Sequence, residues 1–77
     1  MEDGELDLLV RALKQIQEQR GYKLSGLARL LGVSTSHLSM VFAGQRRPGL
    51  RLVSAAMRRF PEIRTLMIQL LEKKTPR

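Results

Sequence analysis

Residues 21–48 read GYKLSGLARLLGVSTSHLSMVFAGQRRP, and their pattern of apolar, glycine and serine positions is the most informative part of the sequence. Two short segments with helical apolar spacing, 24–31 and 35–43, lie on either side of a turn that contains Gly32. Ser34 is a favourable N-cap for the second segment, and Gly44 supplies a stop at its end. The stretch therefore predicts two short helices that meet across a glycine-containing turn of three to four residues.

Helices joined in this way are the signature of a helix-turn-helix, in which the second helix is held out to enter the DNA major groove. The apolar seam between them would consist of Leu27, Leu31, Val33, Leu38 and Val41, with the small Ala28 where they cross. Because successive helical residues are about 100° apart, the outward face then carries Thr35, Ser36, Ser39, Met40 and Ala43. A generic helical hairpin seldom projects such a hydroxyl-rich face with an arginine loop behind it.

Three further helices are predicted around this pair. Apolar residues recur at helical spacing from Leu6 to Arg20, where Gly21 ends the pattern, and again over 50–59 and 61–73. Proline and glycine keep residues 45–49 in a loop, and no segment shows the alternation of a strand. We therefore expect a compact all-α domain over residues 1–77, with helices at about 6–20, 24–31, 35–43, 50–59 and 61–73.

The composition argues against several classes of site. A chain of 77 residues is one small domain, too short to enclose a large enzyme cleft. It has no cysteine and one histidine, His37, so we expect no disulfide, no metal site and no cofactor. Ser36 and Ser39 flank that histidine, but such neighbours face different ways on a helix, so we expect no catalysis. No stretch reaches the roughly 18 apolar residues of a membrane span, and a cytoplasmic protein is expected.

The charge points to a polyanionic partner. The formal net charge is +7, and four of the seven acids are Glu2, Asp3, Glu5 and Asp7. Between Arg20 and Arg64 there are nine basic residues and a single acid, Glu62. Nucleic acid is the default polyanion for such a domain, and a merely solubilising basic surface is the alternative.

The chain resembles the lambda repressor/Cro-like (XRE-type) helix-turn-helix family, a five-helix DNA-binding fold of phage repressors and bacterial regulators. The resemblance is carried by Leu27-Ala28-x-x-Leu31-Gly32-Val33-Ser34, then Leu38 and Val41, then Gly44-x-Arg46-x-Pro48. It covers residues 21 to about 60 well, and the flanking helices agree in number and placement.

The resemblance implies which residues meet DNA. The base-reading positions of the family match Thr35, Ser36 and Met40, and Ser39 shares their outward face. Phosphates would be contacted by side chains and backbone N–H groups of the loop after that helix, at Gln45, Arg46 and Arg47. Further phosphate candidates are Lys23, Arg29 and Arg51.

Two positions depart from the family pattern. Lys23 and Leu24 stand where members often carry Ser-Gln, whose glutamine grips a phosphate. Either Ser25 caps a shortened helix, or Lys23 takes over the phosphate contact. Phe42 stands where many members have glutamate, and we expect it to join the core.

The function implied is a sequence-specific regulator of transcription that binds double-stranded DNA, is not an enzyme, and acts as a small dimeric repressor. Phage Cro-like, restriction–modification controller-like and antitoxin-like roles remain open, in a bacterial or phage-encoded, nucleoid-associated protein. The alternative is a protein-interaction module for a toxin or a polymerase subunit, with DNA binding secondary. An RNA-binding role has only the charge in its favour, because Tyr22, Phe42 and Phe60 fall at packed positions.

A twofold dimer is expected through the last helix. Its apolar stripe consists of Ile63, Leu66, Met67, Leu70 and Leu71, and Ile68 adds an apolar position beside it. One stripe covers the core of the domain itself, so the surplus would stay exposed in a monomer. The interface is expected at Leu66, Ile68, Leu70 and Leu71.

Overall fold

The computed structural model describes residues 3–74, so positions 1, 2 and 75–77 of the predicted domain lie outside the described residues. The described chain is all-helical and contains no strand. The five helices are α1 Asp3–Arg20, α2 Leu24–Leu31, α3 Thr35–Phe42, α4 Leu50–Arg59 and α5 Pro61–Lys74. The Cα radius of gyration is 12.2 Å, close to the value of about 11.5 Å for a folded chain of this length. The predicted five-helix, all-α fold is confirmed.

The predicted helix bounds differ from the observed ones mainly at the start of α1. This helix begins at Asp3 rather than at Leu6. The third helix ends one residue early, at Phe42, and Ala43 is its C-cap. The fifth helix ends at Lys74, one residue later than expected.

Glycines in the left-handed region close the first three helices. The φ angles of Gly32 and Gly44 are 70° and 79°, and Gly21 has a similar value of 67°. The N–H of Val33 donates to the carbonyl of Ala28 at 3.0 Å, five residues back, and Gly32 donates to Arg29 at 3.2 Å. This pair of bonds is the Schellman motif, whose left-handed residue is usually glycine. The motif reverses the chain direction sharply enough for α2 and α3 to pack together.

The core draws on every helix. α1 packs against α3 and α5, α2 against α3 and α4, and α4 against α5. The buried apolar side chains are Leu9, Leu13, Ile16, Leu27, Ala28, Leu31, Leu38, Val41, Leu52, Val53, Ala55, Ala56, Phe60, Ile63 and Met67. The predicted seam of α2 and α3 is part of this set, apart from Val33, which is half-buried beside it.

All three aromatic side chains of the protein are packed. Phe60 is buried, and Tyr22 and Phe42 are half-buried against the core. The Nζ atom of Lys14 lies 5.7 Å from the centre of the Phe42 ring, within cation–π range. None of the three aromatic rings is fully exposed.

Arg20 ties the end of α1 to the start of α5. Its Nη2 atom donates to Oε2 of Glu62 at 2.8 Å, and its guanidinium carbon lies 5.2 Å from the centre of the Phe60 ring. Both partners of the ion pair are about half exposed, so the pair stabilises the fold by at most about 1 kcal/mol. The contact joins the end of α1 to the start of α5, two helices that pack against each other.

Candidate nucleic-acid interface

The start of α3 is set by Ser34. This residue has extended backbone angles (φ −72°, ψ 153°), and its Oγ atom accepts a hydrogen bond from the backbone N–H of His37 at 3.0 Å. A serine N-cap of this kind satisfies one of the free N–H groups of the first turn. The predicted cap is confirmed, and it fixes the point at which the second helix of the motif begins.

The outward face of α3 is polar. Leu38 and Val41 are buried on the inner side of the helix. Thr35, Ser36 and Ser39 are exposed, and Met40 is half-buried at the edge of this face. The helix therefore presents three hydroxyl groups to solvent, with one apolar side chain beside them.

Two backbone N–H groups of the loop after α3 form hydrogen bonds to the end of that helix. The N–H groups of Gln45 and Arg46 both donate to the carbonyl of Met40, at 2.9 and 3.3 Å. These two N–H groups therefore close the end of α3, and phosphate binding by backbone N–H groups of this loop stays a prediction. The side chains of Gln45, Arg46 and Arg47 are exposed and remain able to meet a phosphate backbone.

A groove of about 520 Å³ separates this loop from the first half of α1. Arg46 and Arg47 line the groove on the loop side, and Asp7, Arg11 and Lys14 line it on the α1 side. Four cations and one acid thus share one concave surface. Such a surface attracts a phosphate backbone.

Arg11 and Lys14 are not among the phosphate-binding residues predicted from the sequence. They lie three residues apart on the polar side of α1, a spacing that places two side chains on one helix face. This basic pair was the available signal. The pair can contribute to a phosphate-binding surface only because the arginine loop lies across the groove from it. Apolar periodicity within α1 does not predict which loop lies there.

The remaining phosphate candidates lie in different places. Lys23 is exposed and occupies the N-cap position of α2 without a side-chain cap bond. Because α2 begins at Leu24, the alternative in which Ser25 caps a shortened helix is wrong. Arg51 is exposed in the first turn of α4, directly after the loop. Arg29 does not line the loop groove; it lines a separate pocket at the Gly32 turn.

The apolar stripe of α5 is divided between core and surface. Ile63 and Met67 are buried in the core of the domain, and Leu66 and Leu70 are half-buried. Ile68 and Leu71 are 42% and 53% exposed. Only part of the predicted dimer surface is therefore left uncovered.

Two other kinds of site are not found in the described residues. Residues 3–74 hold no group of three or more histidine, aspartate or glutamate side chains placed to bind a metal ion. None of the described helices combines the length and the apolar character needed to cross a membrane.

Comparison with known proteins yields one family. A family model described as a helix-turn-helix domain matches residues 8–60, about two-thirds of the chain, from the second turn of α1 past the end of α4. No curated protein and no solved structure matches the chain. The matched region contains the capped α3, its exposed hydroxyl face and the arginine loop. The chain belongs to the helix-turn-helix domain family, which indicates a DNA-binding regulator.

Proposed function

We propose that this protein is a sequence-specific regulator of transcription that binds double-stranded DNA in the lambda repressor/Cro-like manner and acts as a homodimeric repressor. The observation that carries the proposal is the exposed hydroxyl face of α3, opposite the buried Leu38 and Val41. A helix presented in this way fits the major groove, where each base pair offers a distinct pattern of donors and acceptors.

Base reading is assigned to the first two turns of α3. Thr35 and Ser36 lie at its N-terminal end, which points into the groove in this class of motif. Their hydroxyls can donate to or accept from base edges. Ser39 and the half-buried Met40 lie one turn later, where a thioether side chain suits contact with a thymine methyl group.

Phosphate contacts are assigned to cations on either side of the reading helix. Lys23 precedes α2, and Arg46, Arg47 and Arg51 follow α3. The neutral side chain of Gln45, directly before Arg46, is assigned to the same phosphate contacts. Arg11 and Lys14 extend this cationic surface across the groove onto α1. Contacts to phosphate set register and supply affinity that depends on salt, whereas base contacts select the sequence.

Dimerisation is assigned to α5. Ile68 and Leu71 supply exposed apolar surface, and the half-buried Leu66 and Leu70 lie on the same helix. A single helix-turn-helix reads few base pairs, so twofold pairing would add a second half-site. Two reading helices would then lie about 34 Å apart, one turn of duplex, over an imperfect palindrome. A repressor of this form needs no cofactor and no metal, and acts in the cytoplasm by covering a promoter.

Gel-shift competition tests the proposal directly. A duplex enriched by the protein from a random pool is labelled, then competed with the same duplex unlabelled, with scrambled duplex and with RNA of the same sequence. We expect the enriched duplex to compete about a thousandfold better than scrambled duplex at physiological salt, at the lower end of the range of specific over non-specific binding. Equal competition by RNA or by scrambled duplex would contradict sequence-specific DNA binding.

A further inference from the structure

A second cationic surface lies on the protein, apart from the loop groove. Arg29, at the end of α2, and Arg58 and Arg59, in the last turn of α4, line one pocket of about 390 Å³ beside Gly32. All three side chains are exposed. No acidic residue lines the pocket, and among the described residues none of these arginines forms an ion pair.

An apolar hollow adjoins this pocket. Met57 and Pro61 line a space of about 480 Å³ between α4 and α5, together with Ser54, Arg58 and Arg64. Arg58 lines both spaces and therefore forms the ridge between them. One continuous surface thus combines four guanidinium groups with an apolar recess, and we call it the arginine ridge surface.

This surface is separate from the loop groove and from the outward face of α3. Arg58 follows Arg51 by two turns of α4, a distance of about 10 Å along the helix axis. No lining residue of the arginine ridge surface lines the loop groove. None of its lining residues belongs to the outward face of α3.

We infer that the arginine ridge surface binds an acidic segment of a partner protein that carries apolar side chains among its carboxylates. Arginine forks match carboxylates bidentately, so Arg29, Arg58 and Arg59 would hold the acidic groups. A leucine-like side chain of the same segment would fill the recess at Met57 and Pro61. A phosphodiester backbone satisfies the arginines equally well but offers no apolar side chain for the recess, which is why we favour a polypeptide. This inference goes beyond DNA binding and adds a protein partner at a surface outside the loop groove.

The test pairs two substitutions of equal charge with two probes. One variant is Arg58→Ala with Arg59→Ala, and its matched control is Arg46→Ala with Arg47→Ala in the loop. The first probe is a short fluorescein-labelled peptide of alternating glutamate and leucine pairs, and the second is a random-sequence duplex. Fluorescence anisotropy at physiological salt gives both affinities, and circular dichroism checks that each variant is folded.

The expected result is a double dissociation. The variant with both α4 arginines replaced (the α4 pair) should bind the peptide about tenfold more weakly and the duplex within about twofold of the wild type. The variant with both loop arginines replaced (the loop pair) should bind the duplex about tenfold more weakly and the peptide within about twofold of the wild type. The same peptide with serine in place of leucine should bind the wild-type protein several-fold more weakly. Arg58→Lys with Arg59→Lys keeps the charge but loses the forked geometry, and should fall between the wild type and the alanine pair.

Three outcomes would overturn the inference. Equal loss of peptide binding in both variants would show that the peptide is attracted by net charge alone. Equal affinity of the wild-type protein for the serine and leucine peptides would show that the apolar recess does not take part in binding. A larger loss of duplex binding than of peptide binding in the α4 pair would make the surface a nucleic-acid contact. Loss of peptide binding in the α4 pair together with unchanged duplex binding in the loop pair would instead count against the assigned DNA contacts and leave this inference standing.

Discussion

The Oγ atom of Ser34 accepts a hydrogen bond from the backbone N–H of His37 at 3.0 Å. This bond joins the end of the turn to the first turn of α3, on which Thr35 and Ser36 lie. It therefore couples the stability of the domain to the position of the two residues assigned to base reading.

Replacement of this cap should affect both properties. Ser34→Ala removes the acceptor and should lower the free energy of unfolding by about 1 kcal/mol, measured by urea denaturation. Specific DNA binding should weaken as well, because the first turn of α3 would fray. Ser34→Asp restores an acceptor and should recover most of the stability. An alanine variant as stable as the wild type would show that the cap contributes nothing.

Arg46 and Arg47 should supply affinity without selectivity. Replacing either with alanine should weaken binding to the operator and to random duplex alike, because phosphates carry no sequence information. The slope of log affinity against log salt should fall by about one for each phosphate that is no longer neutralised. Titrations at several salt concentrations measure this slope. An unchanged slope together with unchanged random-duplex affinity would mean that the loop does not touch phosphate.

Asp7 should oppose DNA binding. It is the one acid among the cations that line the groove between α1 and the loop, so it repels an approaching phosphate. Asp7→Asn should raise affinity for any duplex, most clearly at low salt, because the repulsion is screened at high salt. Glu72→Gln makes the same change in net charge on an exposed position of α5 and is the matched control. Equal effects of the two variants would assign the change to net charge alone.

The dimer should depend on the uncovered part of α5. Ile68→Glu and Leu71→Glu should each shift sedimentation toward the monomer, because a charge buried in an apolar interface is costly. Binding to the operator should fall more than binding to random duplex. Gln69→Glu, at an exposed position of the same helix, is the control and should leave the dimer intact. A wild-type monomer at tens of micromolar, with full affinity for one half-site, would contradict the dimer.

Most of the fold could be predicted because its signals are local. Gly21, Gly32 and Gly44 mark helix ends by a backbone requirement that glycine meets best, and Ser34 marks a helix start by its side chain. The predicted start of α1 is late because apolar periodicity begins only at Leu6. A helix can continue beyond its apolar stripe wherever the terminal charges suit the dipole.

The outward face of α3 was also predictable, since the positions of Leu38 and Val41 fix the opposite side of one short helix. The spatial relations between segments that are distant in the sequence could not be predicted in this way. The grouping of Arg11 and Lys14 with the loop, and of Arg29 with Arg58 and Arg59, depends on how the helices pack. The use of two loop N–H groups to close α3 is a matter of local backbone geometry that side-chain types do not encode.

Base reading by α3 can be measured by selection from a randomised duplex pool, carried out with the wild type and with the double variant Thr35→Ala, Ser36→Ala. The wild type should enrich an imperfect palindrome. The variant should lose about 1–3 kcal/mol of discrimination at the base pairs that these hydroxyls touch, with random-duplex affinity and melting temperature unchanged. Thr65→Ala, an exposed hydroxyl on α5, should select the wild-type sequence. Enrichment of no sequence by the wild type, or of the same sequence with equal discrimination by the variant, would contradict base reading by α3.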